Sequence, residues 1–117
     1  MRLLPLLLAF LVTLNVAPLA ADARSDAKKQ VEFGIAVSQR GLWREAIYRW
    51  ERAAQLDPTY AAAHNNLAIA YEHEGELDKA RAAYEKALEI EPNNTFIKQN
   101  YELFKEINDR TTRQDNQ

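Results

Sequence analysis

Apolar residues recur along this chain at helical spacing, and the pattern occurs twice with an offset of 34 residues. Moving the sequence by that offset superimposes eight identical pairs: Ala27/Ala61, Ile35/Ile69, Ala36/Ala70, Gly41/Gly75, Ala46/Ala80, Glu51/Glu85, Ala53/Ala87 and Pro58/Pro92. Similar residues align between them, including Trp50 with Tyr84. A single offset that explains all of these pairs is typical of repeat architectures.

Each copy reads as two helices joined by a turn. Gly41 and Gly75 end helical patterns, because glycine accepts the left-handed conformation that closes a helix. Small alanines spaced seven apart on the second helix let helix backbones approach closely. Trp50 and Tyr84 are large enough to fill the space between helices. Pro58 and Pro92 cannot continue a helix, and so each copy ends there.

A fifth helix is predicted after the second copy. Asn93-Asn94-Thr95 is a good helix start, and apolar residues then follow at helical spacing up to about Asp109. The same three residues formally fit a glycosylation acceptor, but a helix cap is the simpler interpretation. We expect 95–109 to be a closing helix that covers the core, and 110–117 to be a disordered tail.

The residues of both copies resemble the tetratricopeptide repeat family. The second copy, 61–94, carries the family's marker residues Leu67, Ala68, Tyr71, Gly75, Ala80, Tyr84, Ala87 and Pro92. The first copy, 27–60, departs from the pattern at Gln30 and Val37. The resemblance implies an all-α fold: a short right-handed α-solenoid of two helix–turn–helix units plus a closing helix, within a domain at 24–109.

The resemblance also implies a binding surface. First helices of successive repeats line a concave groove in the family, and the corresponding positions predict these contact residues: Val31, Ile35, Asn65, Ile69, Glu72 and Leu103. The best-known subfamily clamps a C-terminal carboxylate with lysine and asparagine, whereas Val31 and Ile35 occupy those places here. An apolar segment or helix is therefore the expected ligand. The alternative is that these residues pack within the stack.

The N-terminal residues have the order of a secretory signal peptide. Arg2 precedes an apolar run from Leu3, and Ala21-Asp22-Ala23 supplies a small-residue cleavage site. We expect 1–23 to be removed by a cut after Ala23, with Ala21 as second choice. An uncleaved anchor is the alternative, since Leu3–Ala21 is uncharged and close in length to the roughly 20 residues that span a bilayer. Either interpretation places the rest in the periplasm or outside the cell.

Composition narrows the chemistry. The 117 residues contain no cysteine, so a disulfide or a thiolate nucleophile is excluded. The net charge is −2, whereas a nucleic-acid-binding protein normally carries a basic excess, so a nucleic-acid partner is disfavoured. His73 among Glu72, Glu74 and Glu76 is the nearest approach to a metal or acid–base cluster. One histidine among acids lacks the ligand spacing of known metal sites. We therefore predict neither catalysis nor a cofactor or metal.

Charge differs between the copies. Residues 27–60 carry six basic and four acidic residues, whereas 61–94 carry three basic and seven acidic. This difference permits electrostatic pairing with a partner or between two copies of the chain. The sequence thus predicts an exported, non-catalytic adaptor for a protein or peptide segment. The alternative is a self-associating or membrane-anchored scaffold subunit of an envelope complex.

Overall fold

A computed structural model describes residues 16–116, and side-chain burial is described for 20–116. Five helices follow one another along the chain: α1 Val16–Ser38, α2 Trp43–Leu56, α3 Ala61–His73, α4 Leu77–Ile90 and α5 Thr95–Asp115. The described residues contain no strand, so the all-α fold class is confirmed. None of the helices in this described part has both the length and the apolar character needed to cross a membrane.

Short turns make successive helices antiparallel. Gly41 and Gly75 have φ of 76° and 73°, which confirms their predicted left-handed role between the helices of each copy. Arg24, eight residues after the start of α1, pairs with Asp57, which directly follows α2. The end of α2 therefore lies beside the part of α1 around Arg24. Because each hairpin reverses direction, α1, α3 and α5 run the same way and α2 and α4 run opposite.

Small residues let the helices approach closely, as the sequence predicted. Ala46, Ala53, Ala80 and Ala87 are each 0% exposed. Trp50, which is 3% exposed, fills the space between α1 and α2, and its indole Nε1 donates a hydrogen bond to the Val31 carbonyl at 3.0 Å.

The closing helix covers the second copy. Ile97 and Phe104 of α5 are buried, and the ring of Tyr84 lies 5.5 Å from those of both Tyr101 and Phe104. The Asn94 side chain caps the helix by accepting a hydrogen bond from the Ile97 amide at 3.1 Å. The predicted helix start is thereby confirmed, and α5 extends the stack as the first helix of a third copy.

Both ends of the helical region differ from the sequence-based expectation. Helix α5 continues to Asp115, so residues 110–115 are helical rather than a disordered tail. An Arg110–Glu106 ion pair one turn apart supports this extension, as do hydrogen bonds from Thr111 and Thr112 hydroxyls to carbonyls four residues earlier.

Residues 1–15 of the predicted signal peptide lie outside the described part, and α1 runs from Val16 through the expected cleavage position without a break. Among residues of described burial, Ala27 is the first buried one.

Candidate protein-binding groove

Equivalent apolar residues lie on the three parallel helices. Ile35 on α1, Ile69 on α3 and Leu103 on α5 are separated by the repeat length of 34 residues. Ile35 is 40% exposed and Leu103 is 57% exposed. Ile69 is half-buried and lines a depression of about 210 Å³ together with Glu72 and His73. Four of the six predicted contact residues, these three and Glu72, are therefore at least partly accessible.

The other two predicted contact residues lie inside the stack. Val31 is 5% exposed and belongs to the core around Trp50. Asn65 is 3% exposed, and its Oδ1 accepts a hydrogen bond from the Asn100 amide of α5 at 3.2 Å. Val31 and Asn65 therefore hold helices together, and their expected place on the groove surface is corrected. The approach of a neighbouring helix covers both positions, which a single-helix pattern does not reveal.

Two exposed residues of α5 extend the apolar surface and were missed by the sequence analysis. Phe96 is 62% exposed and Ile107 is 53% exposed. They lie seven residues before and four residues after Leu103, so helical geometry places all three on one side of α5. The repeat offset could have identified them, because Phe96 and Ile107 correspond to groove positions in the second copy. We call Ile35, Ile69, Phe96, Leu103 and Ile107 the apolar stripe.

A carboxylate lies next to the middle of the apolar stripe. Glu72 belongs to the last turn of α3, and its Oε2 accepts a hydrogen bond from the Tyr84 hydroxyl. Burial of the tyrosine raises its pKa well above the usual value, and the Glu72 carboxylate raises this pKa further. Tyr84 therefore remains a neutral donor that orients the Glu72 carboxylate.

His73 makes an aromatic contact that the sequence did not reveal. Its ring stacks on Trp43 of α2, with centroids 3.8 Å apart and an interplanar angle of 10°. The neighbouring Glu74 pairs with Arg44 at 3.8 Å. Between residues 16 and 116, no group of three or more histidine, aspartate or glutamate side chains is arranged to hold a metal ion.

A second depression of about 300 Å³ lies on the other side of α3, between α2 and the turn before α4. Its lining is largely charged, and the Tyr71 hydroxyl donates to Glu51 across it at 2.9 Å. Burial raises the pKa of Tyr71 to about 12, with a further contribution from Glu51. Because its polar groups already satisfy one another, this depression is a weaker candidate than the groove.

Comparison with known proteins identifies the repeats. A family model described as tetratricopeptide repeat matches residues 61–94, and one described as TPR repeat matches residues 36–75. The chain is 31% identical over 86 residues to type IV pilus assembly protein PilF of Pseudomonas aeruginosa, covering 72% of this chain and 34% of that protein.

Two further relatives match over shorter stretches. The chloroplastic tetratricopeptide repeat domain-containing protein PYG7 of Arabidopsis thaliana is 38% identical over 61 residues, which are 52% of this chain and 20% of that protein. The protein O-mannosyl-transferase TMTC4 of Mus musculus is 34% identical over 64 residues, 55% of this chain and 9% of that enzyme. The chain thus spans about a third or less of the length of these relatives. Together with the helix–turn–helix stack, the matches show that residues 36–94 of this chain carry tetratricopeptide repeats.

Proposed function

We propose that this chain is an exported, non-catalytic adaptor that binds a protein segment along the apolar stripe of its groove. The observation that carries the proposal is the exposure of Ile35, Phe96, Leu103 and Ile107 on the helices that line the groove. Exposed apolar side chains that are contiguous on one face commonly mark protein interaction sites. Burying them against a partner supplies about 25 cal/mol per Å² of apolar surface.

The size of the groove indicates weak binding. Three helices contribute one or a few apolar side chains each, which is less than the 20 to 30 residues a side of a standard interface. We expect a Kd on the order of micromolar for a single segment, because ordering costs offset part of the burial. A larger partner surface or association of two copies would strengthen it.

Export is proposed from the order of residues at the N-terminus. A basic residue, an apolar run and Ala21-Asp22-Ala23 form the sequence of a cleavable signal. A cut after Ala23 would leave Arg24 and its pair with Asp57 in the mature protein, as well as every described core residue. The relative named for type IV pilus assembly supports an envelope setting.

A charge introduced into the groove tests the binding surface. Ile35→Glu with Leu103→Glu changes two side chains that are at least 40% exposed, so the melting temperature should change little. Capture of partners from an envelope extract by the tagged chain should be lost. The matched control is Tyr48→Glu with Leu77→Glu, because these residues are similarly exposed on the second helices, away from the stripe.

The outcomes separate the parts of the proposal. If the groove variant folds and captures the same proteins as the control variant, the binding surface lies elsewhere. If light scattering shows that the unbound chain dimerises through the stripe, the scaffold function becomes the better description. Export is tested by N-terminal sequencing of the exported protein. An N-terminus at Arg24 supports cleavage, whereas an intact Met1 in membranes shows an anchor.

A further inference from the structure

The two flanks of α5 differ in chemical character, because one is apolar and the other is charged. Relative to the core-facing residues of α5, helical geometry places Phe96, Leu103 and Ile107 on one flank. The opposite flank carries Lys98, Glu102 and Lys105. In the first copy, the position of Glu102 is occupied by Gly34, which packs against Trp50 on the second helix of that copy.

The charged flank and the apolar stripe lie on different sides of α5. A further repeat helix would pack on the side of α5 where Lys105 and Glu102 form an ion pair at 2.8 Å. That side is already suited to water. The exposed apolar residues lie on the other flank and face the groove, where a separate ligand lies in the proposed function.

The groove is acidic at one end. Because α1, α3 and α5 are parallel, Glu72 and Glu106 lie at the same level, close to where α1 and α3 end. Carbonyl groups at a helix C-terminus carry a partial negative charge that adds to that of the carboxylates. Lys28, a basic residue on the groove side of α1, is ten residues before the level of these carboxylates, about 15 Å along the helix axis.

Glu72 is arranged to receive a cation. The Tyr84 hydroxyl engages its Oε2, and within residues 16–116 no donor is bonded to its Oε1 and no basic side chain pairs with it. Glu106, by contrast, pairs with Arg110 on its own helix. Glu72 lines the depression beside Ile69, so a ligand that buries an apolar side chain there brings its neighbouring residue close to Glu72.

We infer that the groove selects an apolar protein segment, such as an amphipathic helix, that carries a lysine or arginine beside its apolar residues. The apolar residues cover the stripe from Ile35 to Leu103, and the basic residue pairs with Glu72 at the ends of α1 and α3. This inference rests on the proposed function and names the chemistry of the ligand at the same surface. The charge of the preferred ligand is therefore opposite to that of the carboxylate that the best-known subfamily binds.

Two synthetic helical peptides provide the probe. Both have the same leucine face at i, i+3, i+4 and i+7, and they differ only in lysine or glutamate at the flanking positions. Binding to the full chain is measured by fluorescence anisotropy of the labelled peptides at low salt, where screening is weak. We expect the lysine peptide to bind about tenfold more tightly than the glutamate peptide, since one partly exposed pair contributes several-fold in each direction.

Two variants distinguish an ion pair between Glu72 and the ligand from an effect of the overall charge of the protein. Glu72→Gln keeps an acceptor for the Tyr84 hydroxyl, so folding should persist while the preference falls to about two- or threefold. Glu89→Gln makes the same change in net charge on an exposed residue of α4 that pairs with Lys86, and the preference should remain about tenfold. An unchanged preference in Glu72→Gln, or an equal fall in both variants, would overturn the inference.

The remaining outcomes distinguish this inference from the proposed function. Equal or tighter binding of the glutamate peptide, or binding of neither peptide, refutes the preference for a basic ligand. The proposed function is then still decided by the capture experiment with the groove variant. Undiminished binding of the lysine peptide to Ile35→Glu/Leu103→Glu refutes both, because the peptide would then bind elsewhere. Self-association of the unbound chain that is lost in Leu103→Glu would identify a second copy as the occupant and overturn the inference.

Discussion

The contact between Gly34 and Trp50 provides a quantitative test of the packing between α1 and α2. A Cβ atom added to Gly34 would lie 2.3 Å from Trp50 Nε1 and 2.7 Å from two neighbouring ring carbons. Real side chains do not approach that closely, so Gly34→Ala forces the indole away. Nε1 would then lose its hydrogen bond to the Val31 carbonyl, in a side chain that is 3% exposed.

The expected change in the free energy of unfolding combines two destabilising contributions and one stabilising contribution. Overpacking a core costs about 1–3 kcal/mol, and a buried donor without a partner costs about 1–3 kcal/mol more. Alanine in place of glycine within a helix stabilises by about 1 kcal/mol. We therefore expect Gly34→Ala to lower the free energy of unfolding by about 3 kcal/mol, which corresponds to a melting temperature lower by about 12–24 °C for a domain of this size.

The second copy supplies the matched rescue. There the equivalents of Gly34 and Trp50 are Ala68 and Tyr84, both almost fully buried, so a larger helix residue is accommodated beside a smaller ring. Trp50→Tyr alone should destabilise by leaving a cavity. The loss of unfolding free energy in the double variant should be smaller than the sum of the losses in the two single variants by about 1 kcal/mol or more, because the two residues are in contact.

Urea unfolding followed by circular dichroism measures all four proteins of this cycle. A Gly34→Ala variant that is more stable than the parent would show that helix propensity outweighs the clash and that the helices separate easily. Additive effects within about 0.3 kcal/mol would show that the ring and the glycine are not coupled.

Two further predictions concern the closing helix and the tyrosines. Asn94→Ala should cost about 1 kcal/mol by removing the cap of α5, whereas Asn93→Ala in the exposed turn should be close to neutral; urea unfolding compares them. Because the folded-state pKa of Tyr71 is raised to about 12, its contribution to stability is full below pH 10 and is lost as the pH rises from 10 through 12. Tyr71→Phe should therefore reduce the fall in unfolding free energy between pH 10 and 12, to which Tyr84 and Tyr101, whose pKa values are also raised by burial, continue to contribute; a Tyr71→Phe profile as steep as that of the parent would contradict this reasoning.

The sequence by itself determined the repeated helix–turn–helix units of this protein. The positive φ of Gly41 and Gly75 and the burial of Trp50 and Tyr84 follow from local rules of backbone freedom and side-chain size. These rules act within a few residues or repeat at a constant offset. A one-dimensional pattern is therefore sufficient to locate the helices, the turns and the interior side of each helix. The cap of α5 at Asn94 was predictable for the same reason.

Tertiary structure decided which residues of the groove-facing side remain accessible. The sequence pattern places Val31 and Asn65 on the groove-facing side of their helices. In the assembled stack, the Trp50 indole covers Val31 and the side-chain amide of Asn100 covers Asn65. The stacking of His73 on Trp43 likewise joins residues from two different copies. Such contacts depend on how closely separate helices approach, which is set by the combined volumes of many side chains. Exposure of the apolar stripe, and with it the candidate site, therefore emerges from the assembled stack and not from any single helix.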